Sequence, residues 1–120
     1  MTTPKLFSQK ESLIASVSEM TQQSSGVFWL VDANTRTHCL PLLSNTNNHH
    51  IIEVEPGETA KAYSSAAEVW NQLLANHADR KSLLICLGGG VVTDLGGWVA
   101  STYKRGIPFL HIPTTLLSMT

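Results

Sequence analysis

Two runs of five apolar residues, Val27–Val31 and Leu83–Leu87, stand out from a chain that otherwise mixes small polar and apolar positions. Neither run alternates, so both read as strands covered on both faces, the first of them central in a sheet. Ile51-Ile52-Glu53-Val54-Glu55 alternates in part, which suits a strand nearer the sheet edge, closed by Pro56-Gly57. A fourth strand is expected at Phe109–Ile112. Between the strands the apolar spacing turns helical. Leu13, Ile14, Val17 and Met20 lay one stripe along residues 6–20, and Ala66, Val69, Trp70, Leu73 and Leu74 do the same in a long helix that Ser64 or Ser65 would cap and that ends near His77. Shorter helical stretches are expected at residues 35–43 and 92–103, with residues 21–26 and 44–48 as polar breaks.

After the first helix the order is therefore β-α-β-α-β-α-β. Alternating buried strands and helices imply a parallel sheet with right-handed crossovers and helices on both faces, a Rossmann-like α/β fold. Residues 114–120 read as the opening of a further loop or helix with no stop signal. The expected organisation is a helical lead-in over residues 1–25 and an α/β domain over residues 26–120, the N-terminal half of a longer two-domain protein.

The 120 residues are one domain's worth, and at 42% apolar they can bury roughly two thirds of their unfolded surface without disulfides or metals. Eight Lys and Arg against nine Asp and Glu leave a formal charge of −1. Basic residues adjoin only as the pairs Arg80-Lys81 and Lys104-Arg105, which offers no footprint for a phosphate backbone, so nucleic-acid binding is not expected. No apolar stretch approaches the about twenty residues of a bilayer span. The N-terminus lacks a secretory layout, and Cys39 and Cys86 show no framework spacing, which together suggest a reduced, cytoplasmic protein. Charged residues are 14%, so much of the surface is neutral or apolar and a partner or further domain is worth expecting.

The sharpest local signal is the strand Leu83–Leu87 running straight into Gly88-Gly89-Gly90 and a helix. Without a Cβ the backbone at Gly89 and Gly90 can approach a pyrophosphate closely, and the helix N-terminus behind it favours the anion. Tight strand-to-helix packing accounts for many Gly-Gly pairs, but three glycines in a row before an acidic residue exceed that need. Asp94, expected in the helix's first turn, suits capping and ligand contact equally. Gly96-Gly97 inside a helix suggest that something packs closely there. Glu58 and Lys61 stand three apart at a loop-to-helix junction, facing one ligand together or forming an exposed ion pair. Asp32 and Asn34 after the first strand, and Thr114 and Thr115 after the fourth, would lie on the rim where open parallel sheets bind ligands, although Asp and Asn are also ordinary turn formers.

Leu87-Gly88-Gly89-Gly90-Val91-Val92-Thr93-Asp94, then Tyr103-Lys104-Arg105-Gly106-Ile107, then Pro113-Thr114-Thr115-Leu116-Leu117-Ser118 follow in an order and spacing that resembles the 3-dehydroquinate synthase family. Pro56-Gly57-Glu58 with Lys61 and Val31-Asp32-Ala33-Asn34 resemble further motifs of that family. The resemblance implies a lyase of the shikimate pathway, and so of chorismate and aromatic amino acid biosynthesis. It would convert 3-deoxy-arabino-heptulosonate 7-phosphate into 3-dehydroquinate and phosphate with NAD used and regenerated in each turnover. It also implies a divalent metal, zinc or cobalt, and a homodimer. Carried over by position, Asp32, Asn34, Glu58, Lys61, Gly89, Gly90, Asp94, Thr114, Thr115 and Leu117 are expected to contact NAD, and Arg105 the substrate phosphate near a subunit interface.

The family's glycine motif has Ile and Gly where this chain has Val92 and Thr93. Its metal ligands, one Glu and two His, come from a helical domain beyond the equivalent of Thr120. His38, His49, His50, His77 and His111 do not replace them, since His49-His50 are adjacent on an expected loop and the others are scattered. No catalytic or metal residue is expected within the chain, which would be inactive alone. Two other readings stay open: a related NAD-dependent cyclase making a valiolone or inosose product, and a stand-alone nucleotide-binding module.

Overall fold

The computed structural model describes residues 9–42, 48–54 and 62–114. In chain order these form α1 (Gln9–Gln22), β1 (Val27–Val31), α2 (Ala33–His38), β2 (His50–Glu53), α3 (Ala62–Ala75), β3 (Leu83–Leu87), α4 (Gly90–Thr102) and β4 (Phe109–Ile112). A short 3₁₀ turn follows α2 at Leu40–Leu42, and a tight turn, left-handed at Lys104 and Arg105, follows α4 at Tyr103–Arg105. All four strands pair in parallel in the order β2-β1-β3-β4. β1 and β3 are central and buried along their whole length, whereas β2 lies at an edge, as its mixed pattern predicts.

Because successive side chains leave a strand on opposite faces, each apolar run feeds two cores at once. Phe28, Leu30, Leu84, Cys86 and Ile52 meet Val69 and Leu73 of α3 and Leu95 and Val99 of α4. On the other face Val27, Trp29, Val31, Leu83, Ile85, Leu87 and Ile112 meet Val17 of α1 and Leu40. A one-residue slip in pairing would exchange the two sets wholesale, so the register is strongly specified.

The helix boundaries move relative to the expected ones. The stretch expected at residues 35–43 divides, with Asp32 capping α2 early: Thr35 N–H donates to Asp32 Oδ1 at 2.8 Å, and Asp32 N–H to Thr35 Oγ1 at 3.0 Å. α3 already starts at Ala62, which puts Ser64 and Ser65 inside it and not at its cap. α4 starts at Gly90, two residues before its expected beginning.

α3 stops in a reciprocal pair of bonds, His77 N–H to Leu74 O at 3.1 Å and Ala78 N–H to Leu73 O at 2.9 Å. This is the Schellman arrangement, and its left-handed residue is His77 at φ 62°, where glycine is the usual occupant. The left-handed region costs an L-residue roughly 1–2 kcal/mol, and glycine returns part of that through unfolded-chain entropy. His77→Gly is therefore expected to stabilise the domain by about 0.5–1 kcal/mol, a Tm rise of roughly 2–4 °C. Thermal unfolding followed by circular dichroism reads this directly, and a lower Tm would contradict it.

His49 and His50 do not share a loop. His50 begins β2 and stacks on Phe28, ring centroids 4.7 Å apart, while His49 Nδ1 accepts the indole N–H of buried Trp29 at 2.9 Å. Burial, then the neighbouring His50, holds the His49 pKa below its ordinary 6.5. Accepting that bond requires His49 neutral at Nδ1. Its contribution to stability is complete above pH 6.5 and is lost as the pH falls through the lowered folded value, because there the unfolded chain binds the extra proton. The Trp29 indole proton should shift cooperatively with the His49 ring in NMR spectra recorded below pH 6.5. Independent movement of the two signals would rule out the linkage.

Candidate functional site

In an all-parallel sheet every carboxyl end lies on one rim, so the segments following β1, β3 and β4 come together there. After β1 the chain leaves through α2 toward β2, and after β3 it leaves through α4 toward β4, in opposite directions and on opposite faces of the sheet. The crevice between the ends of β1 and β3 is thus a topological switch point, the place where open α/β sheets accept ligands. The β1–β3 pairing ends at Leu30 with Cys86, two residues before Asp32 and Gly88, and the β3–β4 pairing ends at Leu87 with Ile112, two residues before Gly89 and Thr114.

Two neighbours brace the glycine turn. Gly88 N–H donates to Ile112 O at 3.4 Å, and His111 Nε2 donates to Gly88 O at 3.2 Å, tying β4 to the turn. No sequence motif marks His111 for that task. Gly88 is buried under Val92, where a Cβ would press within 3.2 Å of the valine Cβ.

Gly89 and Gly90 behave differently. Gly89 is extended at φ −89°, a conformation open to any residue, and neither glycine has positive φ. A Cβ on either would meet nothing within 4 Å. Backbone conformation and packing both leave room for a side chain at these two positions. Gly89 is also the N-cap of α4 and supplies no side-chain cap, so the first N–H groups of that helix keep their bonding capacity.

Thr93, one of the two residues that depart from the family motif, bonds back to the glycine turn. Its N–H and its hydroxyl both donate to Gly89 O, each at 3.0 Å. Because α4 begins at Gly90, Asp94 lies past its first turn and caps nothing, which corrects the capping alternative. It stands one turn behind Gly90, exposed, on a side chain that leans toward the helix N-terminus. Asp32 is half-buried by its capping bonds and Asn34 is exposed beside it. Glu58, Lys61, Thr115 and Leu117 lie outside the described residues, so the expected rim residues among the described ones are Asp32, Asn34, Gly89, Gly90, Asp94 and Thr114.

Arg105 does not join them. It follows α4, whose 13 residues separate it from the glycine turn by about 20 Å. The cysteines add no chemistry: burial pushes the Cys86 thiol up to about 12, and burial, then Asp32, raises that of Cys39. Among the described residues no three of His, Cys, Asp and Glu form a candidate metal cluster, and no helix is long and apolar enough to cross a membrane.

Fold and rim together define an open α/β domain with a glycine turn and an uncapped helix N-terminus at the carboxyl ends of its strands. The profile of the 3-dehydroquinate synthase N-terminal region matches residues 51–120. The chain is 41% identical over 95 residues to a 3-dehydroquinate synthase of Parabacteroides distasonis, covering 77% of this chain and 27% of that protein. It is 36% identical over 120 residues to one of Clostridium kluyveri, covering 93% and 33%. Among solved structures, 2-epi-5-epi-valiolone synthase from Streptomyces hygroscopicus, with NAD+ and Zn2+ bound, superposes at a TM-score of 0.72 with 28% identity, over 85% of this chain and 30% of that one. A 2-deoxy-scyllo-inosose synthase complexed with carbaglucose-6-phosphate, NAD+ and Co2+ shares the fold at a TM-score of 0.69 and 21% identity, over 84% and 30%. The chain belongs to the 3-dehydroquinate synthase family and spans about a third or less of the length of these relatives.

Proposed function

We propose that this chain is the NAD-binding part of a 3-dehydroquinate synthase, a phosphate-eliminating cyclase whose metal ligands and whose substrate residues other than Arg105 lie on a further domain. The observation that carries the reading is the pair Gly89 and Gly90: neither φ nor packing calls for glycine, and the vacant space lies at an uncapped helix N-terminus. A pyrophosphate fits that space, with the N–H groups of the first turn of α4 as donors. Asp94 and Asp32 would accept hydrogen bonds from cofactor hydroxyls, with Asn34, Thr114, Thr115, Glu58, Lys61 and Leu117 completing the contacts. When bound, NAD supplies reversible hydride acceptance from a substrate alcohol. The protein's part here is to hold and orient it.

Arg105, about 20 Å down α4 from the cradle, would reach a substrate phosphate in the site of a second subunit, which accords with a homodimer. The identity to 3-dehydroquinate synthases, 41% against 28% for the valiolone enzyme, favours 3-deoxy-arabino-heptulosonate 7-phosphate as the substrate over other sugar phosphates. Calorimetric titration of the folded chain with NAD is the test. Saturable heat at one site per chain is expected, and a folded chain that gives none would overturn the self-sufficient cradle.

A further inference from the structure

Tyr103, which no motif reading singles out for a task, sits between α4 and the segment bearing Arg105. Three consecutive residues after it have positive φ: Lys104 at 48°, Arg105 at 69° and Gly106 at 112°. Glycine adopts such a conformation freely, but two bulky cationic residues do so only where the surroundings over-determine it. The bonds that do so converge on Tyr103. Its carbonyl accepts Gly106 N–H at 2.7 Å, and its hydroxyl, buried, donates to Ala78 O at 3.0 Å. Trp70 of α3 meets its ring edge-on, centroids 5.3 Å apart, and the ring is 1% exposed. Beyond the turn, buried Ile107 donates its N–H to Ala100 O at 2.8 Å and closes the other side.

The two cations on this clamped turn are not equivalent. Lys104 folds its ammonium back over the Tyr103 ring, 5.8 Å from the centroid. Arg105 is exposed and makes no hydrogen bond or ion pair among the described residues. We infer that Tyr103 is a positioning residue: its hydroxyl bond to the α3–β3 connection locks the strained turn so that Arg105 is presented preordered to a phosphate group. The inference rests on the proposed phosphate role of Arg105. Tyr103 acts through the turn and touches no ligand itself.

The test compares three forms of the 120-residue chain by NMR: wild type, Tyr103→Phe, and Val69→Ala, which thins the same core away from the turn. Amide exchange of Gly106 and Ile107 reports turn order, and the Arg105 Nε–H signal is followed during titration with inorganic phosphate. In Tyr103→Phe, exchange at Gly106 and Ile107 is expected to accelerate at least tenfold relative to β3 amides, and the phosphate response of Arg105 to weaken at least fivefold. Val69→Ala should lower Tm without either change. If Tyr103→Phe shows only the uniform loss seen in Val69→Ala, Tyr103 is a core residue and the inference is overturned. If wild-type Arg105 ignores phosphate while Tyr103→Phe selectively loosens the turn, the clamp stands and the phosphate role of Arg105 falls.

Discussion

Gly90→Val is expected to abolish NAD binding while leaving the circular dichroism spectrum and Tm close to those of the wild type. The fold has space for the valine, since a Cβ at this position meets nothing within 4 Å. The backbone tolerates it, since Gly90 is the first residue of α4 and does not have positive φ. What valine removes is the volume in which a pyrophosphate would lie against the first N–H groups of the helix. A loss of at least 100-fold in affinity is expected, about 3 kcal/mol. Calorimetry on wild type and variant decides it, and wild-type affinity in a folded variant would remove the cradle. Gly88→Val, by contrast, should damage the fold itself, because Val92 already occupies the space beside Gly88.

This difference among three adjacent glycines shows where the sequence stopped being legible. β1, β3 and β4 match their expected bounds at both ends, and for β1 and β3 the reason is plain: an unbroken apolar run has nowhere to lie except between two covering layers. The first turn of α4 was hidden by its own glycines, which have low helix propensity yet stand where the helix needs no side chain. That displacement also misplaced Asp94. The sequence marks Asp32 as a rim or turn residue, and its bonding with Thr35 shows that it caps α2 as well. The Asp-x-x-Thr spacing carried that signal.

The rim itself was readable, since residues that follow parallel strands must gather on one edge. By the same logic Arg105, which follows a crossover helix, returns to the opposite edge. A residue-by-residue resemblance gives no sense of that separation. The contacts of Tyr103 with Ala78 and of His111 with Gly88 join segments 25 and 23 residues apart, and neither residue type nor spacing foretells them.

The largest stability effect is expected at Gly96. α4 crosses the sheet so closely there that a Cβ would collide with Cys86 Sγ and press within 3.2 Å of Leu30 Cδ2 and 3.3 Å of Phe109 Cε1. Cys86 has little room to retreat, because it is fully buried in a central strand, paired with Leu30 on one side and His111 on the other. Overpacking costs about 1–3 kcal/mol, and the upper end applies here because the atoms met most closely, those of Cys86 and Leu30, are fully buried. The better helix propensity of alanine offsets about 1 kcal/mol. Gly96→Ala should thus lose about 2 kcal/mol, a Tm fall of roughly 8 °C. Neighbouring Gly97 faces Phe109 at 3.9 Å, an ordinary contact, so Gly97→Ala should gain stability by up to about 1 kcal/mol from propensity alone. Adding Cys86→Ala to Gly96→Ala removes the colliding sulfur, and the double variant should be more stable than the sum of the single changes by at least about 1 kcal/mol. Urea unfolding of the four forms closes that cycle. Strict additivity would mean that α4 shifts to accept the methyl group, and that close approach at Gly96 is not what fixes the helix on the sheet.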